Sequence, residues 1–131
     1  MKSRDGVVRL KRFQVEEKRR QVGQIETMIA EFERMAKDLS DQIHAEQERS
    51  GIRDTSHFAY PTFAKAAMQR RDNLLASAAE LKEQLAAAKA SHAEAAEELA
   101  KSEAIAERDH GREYSAAHEA PRMRDASAMV R

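Results

Sequence analysis

Apolar residues recur every seven positions through the first third of the chain. One row of the repeat is Val8, Val15, Val22, Ile29, Ala36 and Ile43, and a second row is Ile25, Phe32 and Leu39. Apolar residues at the a and d positions of a heptad are typical of a helix that packs along another long helix. The pattern therefore predicts a coiled coil rather than a globular core with a cleft.

A second heptad repeat, rich in alanine, occupies the later part of the chain. Its rows are Ala67, Leu74, Leu81, Ala88 and Ala95, and Ala78, Leu85, His92, Leu99 and Ala106. Between the two repeats, Gly51 is suited to a left-handed helix C-cap and Pro61 to the first turn of a new helix. We therefore predict helices over residues 5–49 and 61–117, a tip loop over residues 50–60 and a flexible basic tail over residues 121–131.

Two long helices joined by a short loop are expected to fold back on each other. The fold class predicted for residues 1–120 is all-α, with two long helices forming an antiparallel coiled-coil hairpin. A register in which facing residue numbers add up to 110 sets large side chains against small ones, as packed layers prefer. It pairs Phe32 with Ala78, Ile29 with Leu81, Ile43 with Ala67, Lys18 with His92 and Lys11 with Leu99.

Composition agrees with long helices and excludes several classes of protein. Of 131 residues, 35% are charged and 5% aromatic, with four glycines and two prolines. The chain has no cysteine, no apolar stretch long enough for a membrane span and no apolar run of a signal peptide at its start, so we expect a cytoplasmic location.

Residues that could carry catalysis are not arranged for it. The five histidines show no metal-ligand spacing, and adjacent carboxylates such as Glu16 and Glu17 point about 100° apart on a helix. There is no glycine-rich phosphate loop and no nucleophile motif. The sequence predicts a protein that is not an enzyme and has no metal, cofactor or small-molecule substrate.

Charge is unevenly distributed although the net charge is zero. Residues 1–20 carry eight Lys and Arg against three Asp and Glu, whereas residues 80–119 carry five against ten.

The basic cluster consists of Arg9, Lys11, Arg12, Lys18, Arg19 and Arg20. It is either a solvated helix face or a docking site for an acidic protein surface. Nucleic acid fits less well because acidic residues elsewhere cancel the overall field and no reader motif is present. In the hairpin, residues 1–20 and 121–131 lie toward the same end, where we expect a basic surface that is offset in part by acidic residues near Glu103 and Glu107.

Half of the six aromatic residues fall within six positions around the tip loop. They are Phe58, Tyr60 and Phe63. One interpretation is a cap that closes the end of the apolar seam, and the other is an exposed patch that binds a partner.

Two short motifs and the layout resemble a known family. The stretch VVRLKRFQVEE at residues 7–17, and Tyr60-x-x-Phe63 at the start of the second helix, are similar to the flagellar export protein FliJ family over residues 4–115. The resemblance implies a non-enzymatic coiled-coil stalk of the bacterial flagellar type III export apparatus. It also implies a place in the cytoplasm, peripheral to the inner-membrane export apparatus.

The resemblance further implies partners and contact residues. The family inserts its terminal end into the ring of the export ATPase, promotes ring assembly and protein export, and contacts the membrane-embedded export gate and export chaperones. The ATPase-ring contact would be the basic cluster, and the gate contact would be Tyr60, Phe63 and Leu74, although Ala67 and Arg70 depart from the family pattern. The alternative function is a generic coiled-coil scaffold or an adaptor associated with nucleic acid.

Overall fold

The protein consists of two long helices. The structure, a computed structural model, describes the backbone of residues 2–130 and the side chains of residues 4–117. The described backbone forms α1 (Lys2–Ser50) and α2 (Thr62–Val130) and contains no strand. The predicted all-α fold with two long helices is confirmed.

The connection between the helices follows the predicted turn chemistry. α1 ends at Ser50, and Gly51 adopts a φ of 71°. Its N–H donates to the carbonyl oxygen of Gln47 at 2.9 Å, as in a left-handed C-cap. At the start of α2, the N–H of Lys65 donates to the carbonyl oxygen of Pro61 at 3.2 Å. Pro61 therefore contributes an acceptor to the first turn without needing a donor of its own.

α2 continues beyond the predicted end at residue 117. Its backbone is helical through Gly111 and Pro121 to Val130. A proline removes one helical hydrogen bond but does not end every helix that contains it. The side chains of the predicted basic tail, residues 121–131, lie outside the described residues, so its flexibility stays a prediction.

The heptad repeats predict which side chains are shielded from solvent. In the described residues of α1, every predicted a and d residue is buried or half-buried, and the same holds for the predicted rows of α2. Two residues outside the predicted rows are shielded as well: Ala64 is fully buried and Arg71 is half-buried. Both lie in the heptad row that also contains Ala78. Arg71 can occupy such a position because its methylene stem packs while its charged head remains in water.

The chain divides into two compact units. Unit 1 comprises residues 1–19 and 91–131, and unit 2 comprises residues 20–90. In unit 2, Leu39, Ile43 and Ala67 form a buried cluster. Met68 and Leu74 pack against this cluster. Ile43 and Ala67 thus lie together, as the register with a sum of 110 predicts.

Unit 1 is held together largely by polar contacts. Among its described residues, Val8 is the one buried apolar side chain. Lys18 Nζ donates to Ser91 Oγ at 2.6 Å, and Lys11 Nζ lies 3.5 Å from Glu98 Oε2. Each partner lies one position before the facing residue predicted from the register. Other contacts in unit 1, such as Arg12 with Glu103, join residues whose numbers add up to 115, so the register of this unit stays a prediction.

Disulfide crosslinking tests the register in unit 2. Ile29 and Leu81 are both buried, and the register places them in one layer. Ile29→Cys combined with Leu81→Cys should form a disulfide within one chain under mild oxidation, because facing core positions bring Cβ atoms within disulfide reach. The product is read by gel mobility under reducing and non-reducing conditions. Efficient crosslinking of Ile29→Cys with Leu74→Cys or Ala88→Cys instead would contradict the register.

Candidate partner-binding surfaces

The tip loop is ordered by its own hydrogen bonds. The side chain of Asp54 accepts from the hydroxyl of Ser56 at 2.7 Å and from the N–H of Ser56 at 3.0 Å. The N–H of His57 donates to the carbonyl oxygen of Asp54 at 3.1 Å, and the N–H of Tyr60 to that of His57 at 3.0 Å. This local network fixes the residues just before α2.

The same network makes the loop sensitive to acid. The pKa of Asp54 is lowered, first by the Ser56 hydroxyl, then by the Ser56 N–H and by the nearby His57. Because the folded pKa is depressed, the stabilisation is fully present above the ordinary pKa of an aspartate. It is lost as the pH falls through the lowered pKa. The loop conformation is therefore maintained at neutral pH.

Tyr60 caps the end of the apolar seam. Its side chain is only 5% exposed. Its hydroxyl accepts a hydrogen bond from Gln47 Nε2 at 2.9 Å and donates to Met68 Sδ at 3.6 Å. It therefore connects the last turns of α1 to the first turns of α2. Leu74, another predicted gate residue, is half-buried against the core cluster of unit 2.

The other two tip aromatics face solvent. Phe63 is 57% exposed and Phe58 is 97% exposed. The Phe58 ring stacks on the ring of His57, with centroids 4.8 Å apart. Tyr60 therefore forms the cap of the first interpretation, while Phe58 and Phe63 are exposed and their binding to a partner stays a prediction. Of the three residues predicted to contact the gate, Phe63 is the one with a largely free side chain.

Most of the basic cluster is paired. Lys11 approaches Glu98, Arg12 Nη2 lies 2.9 Å from Glu103 Oε2, and Arg19 Nη2 lies 3.1 Å from Glu16 Oε2. Lys18 is hydrogen-bonded to Ser91, and Arg20 also has an interaction within the chain. The two long pairs join α1 to the acidic stretch of α2. Most positive side chains of residues 1–20 are thus paired with groups of the same chain.

Arg9 differs from the rest of the cluster. It is exposed, and within residues 4–117 it has no ion-pair partner. It lines a concave surface together with Asp5, Glu103, Glu107 and His110. His110 Nε2 lies 3.0 Å from Asp5 Oδ1 on the same surface. Arg9 is therefore the one cation of the basic cluster without a partner within residues 4–117.

Unit 1 as a whole is not strongly basic. It carries 13 Lys and Arg against 12 Asp and Glu, a net charge of +1. The acidic stretch of α2 offsets the basic start of α1, in the direction that the sequence predicts for Glu103 and Glu107.

Sequence reasoning missed an apolar surface on unit 1. Val7, Leu10, Phe13 and Ile105 are all exposed. We call these four residues the apolar patch. They lie outside the a and d rows, which is why the search for core positions passed over them. Apolar residues at outward heptad positions would have been the pattern that identifies them.

The described residues hold neither a metal-binding cluster nor a membrane-spanning helix. No group of three or more His, Cys, Asp or Glu in the described residues is arranged to hold a metal ion. Neither helix, over the residues described, has a stretch long and apolar enough to cross a membrane. Comparison with protein-family models, curated proteins and solved structures finds no match to this chain.

Proposed function

We propose that this protein is a non-enzymatic coiled-coil stalk of a flagellar type III export apparatus, of the kind formed by the FliJ family. In this role it links the export ATPase ring to the membrane-embedded export gate. It promotes ring assembly and the export of substrates, and it acts in the cytoplasm at the inner-membrane export apparatus. The resemblance of residues 7–17 and of Tyr60-x-x-Phe63 supports the assignment.

The observation that carries the proposal is the exposure of Phe63 in the first turn of α2. Tyr60, three residues earlier, is buried and hydrogen-bonded at the end of the seam. Of the two aromatics in the motif, Tyr60 therefore contributes to the folded core and Phe63 remains exposed to solvent. Phe63 is the residue that the resemblance assigns to the gate, and an exposed aromatic is a frequent anchor of protein interfaces.

The proposed gate contact is centred on one face of α2. Arg70 is exposed and lies seven residues after Phe63, so the two share a helix face. Ala67 and Leu74 lie in the seam, where they pack toward α1. We therefore place Phe63 at the centre of the contact, with Tyr60 and Leu74 supporting it from the seam; Arg70 shares the face of Phe63 but departs from the family pattern.

The proposed ATPase contact uses Arg9 first. Arg12 and Arg19 can contribute as well, because their ion pairs are solvent-exposed and exposed pairs are worth about 0–1 kcal/mol. An acidic group on the ring can replace such a partner at little cost. Unit 1 has too little net charge to favour a nucleic-acid adaptor, whose affinity depends on unpaired cations.

Association with a purified flagellar export ATPase tests this proposal. The wild-type chain should bind at low salt, and Arg9→Glu should weaken binding by about tenfold, since it replaces an attraction by a repulsion. Arg34→Glu is the matched control, because Arg34 is exposed in unit 2 and has no ion-pair partner within residues 4–117. Equal effects of the two changes, or binding to nucleic acid with none to the ATPase, would contradict the proposal.

A further inference from the structure

Unit 1 exposes apolar side chains while it buries few. Val7, Leu10 and Phe13 are 46%, 56% and 59% exposed, and Ile105 is 38% exposed. Single exposed apolar residues are ordinary, but contiguous ones mark interaction surfaces. Val7 and Ile105 line one shallow groove between α1 and α2, together with Arg4 and Ser102.

The helix geometry makes the apolar patch continuous. Leu10 lies three residues after Val7, and Phe13 three residues after Leu10, so each is the neighbour of the next on the surface of α1. Ile105 adds the α2 side of the groove. Val7 and Ile105 thus line the groove, and Leu10 and Phe13 continue the apolar surface along α1 beyond it. A groove between two helices with an apolar ridge beside it is a surface that a third helix can cover.

Charge around the patch indicates the chemistry of that helix. Lys101 and Arg108 lie four residues before and three residues after Ile105, so both border the patch on α2. Glu98 is neutralised by Lys11 and by Lys101, at 3.5 Å and 3.9 Å. Arg108 has no ion-pair partner within residues 4–117. Lys101 is itself paired with Glu97 at 3.7 Å as well as with Glu98, and Asp109, four residues after Ile105, is paired with Arg4 at 2.8 Å. Among the described residues, Arg108 is therefore the unpaired charge on this border.

We propose that the apolar patch is a docking surface for an amphipathic helix of a partner protein, with acidic residues beside its apolar stripe. The docked helix completes the core that unit 1 lacks, where Val8 is the one buried apolar side chain among the described residues. A second copy of the chain fits less well, since a symmetric pairing of the patch brings the unpaired Arg108 of both copies together. The inference is independent of the proposed export role.

Gly6 is a second, independent indication. It lies four residues before Leu10 and seven before Phe13, on the same face of α1. A Cβ at this position would meet no atom of the chain within 4 Å, so the fold itself does not require glycine. A glycine inside a helix costs about 1 kcal/mol relative to alanine. A glycine at this position would allow the backbone of a partner helix to approach α1 closely.

The direct test uses a synthetic helix as probe. A labelled peptide of about three heptads, with Leu at its a and d positions and Glu at the flanking positions, is titrated with the full chain and followed by fluorescence anisotropy. We expect binding, and at least about tenfold weaker binding when Val7→Ser, Leu10→Ser and Ile105→Ser are combined. A peptide with Lys in place of Glu should bind about tenfold more weakly than the acidic one. The triple variant should keep its helical content, because all three side chains are exposed.

Two further measurements separate docking from a structural effect. Gly6→Ala and Gly23→Ala should both raise the melting temperature, since neither added Cβ meets an atom of the chain. Only Gly6→Ala should weaken binding of the acidic peptide, because Gly23 lies in unit 2, away from the apolar patch. Bound peptide should also slow amide hydrogen exchange in unit 1 and leave unit 2 unchanged.

Three outcomes would overturn the inference. The first is equal affinity for the acidic and basic peptides, and the second is undiminished binding by the triple variant. The third is self-association in sedimentation that the triple variant abolishes, which would assign the patch to a second copy. Loss of ATPase binding by Arg9→Glu is a separate result, so failure here and failure of the export proposal remain distinguishable.

Discussion

Ile43→Ala should lower the free energy of unfolding by about 2–4 kcal/mol, the range for truncating a large buried aliphatic side chain. Ile43 is 4% exposed and lies in one cluster with Leu39 and Ala67. A small facing side chain such as that of Ala67 cannot expand into the space left behind. Urea unfolding followed by circular dichroism measures the change.

Met35→Ala is the matched control for this prediction. Met35 lies on the same helix within unit 2 but is 42% exposed. Its truncation should therefore change the free energy of unfolding by less than about 1 kcal/mol, as for most exposed positions. Similar losses for Ile43→Ala and Met35→Ala would contradict the burial pattern, and with it the heptad interpretation of α1.

Phe63→Ala should reduce binding to the cytoplasmic part of the export gate by about tenfold or more, as expected for an aromatic anchor of an interface. The free energy of unfolding should change by less than about 1 kcal/mol, because more than half of the Phe63 side chain is in solvent. Binding is measured by titration calorimetry, and stability by urea unfolding of the same preparation.

Tyr60→Ala provides the opposite case. Its side chain is buried and hydrogen-bonded to Gln47, so its removal should cost about 3 kcal/mol or more. The two aromatics of one motif should thus separate binding from stability. If Phe63→Ala destabilises the chain as much as Tyr60→Ala and leaves gate binding intact, the exposed aromatic has no partner role.

The helical part of the fold could be predicted because its physical cause is local and periodic. A seven-residue repeat brings residues such as Val22, Ile29 and Ala36 to one side of a helix. Packing along a second helix shields the whole row from solvent. Gly51 marks the end of α1 because glycine adopts a positive φ without strain. The register followed from matching large with small residues, and Ile43 lies with Ala67 as that matching required.

The roles of the tip aromatics could not be read from the same periodicity. Tyr60 precedes α2, so the heptad does not define the direction of its side chain. Its burial depends on Gln47 and Met68, which meet only after the chain has folded back. Phe63 is in the helix, outside the a and d rows and one position before the buried Ala64, which agrees with its exposure.

The basic cluster shows a different limit of sequence reasoning. Counting charges along residues 1–20 identifies an excess but not the partners of each cation. Arg12 meets Glu103, which is 91 positions away in the chain. Such pairing depends on the register, so the availability of Arg9 became evident only from the folded chain.

ATP turnover by a purified flagellar export ATPase tests the central claim most directly. Its rate is measured with and without the wild-type chain, at low salt and again at higher salt. The stalk assignment predicts a higher rate with the chain at low salt. The gain should shrink with Arg9→Glu and with added salt, since exposed charges are screened over about 10 Å at 0.1 M. A turnover rate that stays at its basal value at every concentration of the chain, with no association at low salt, would contradict it.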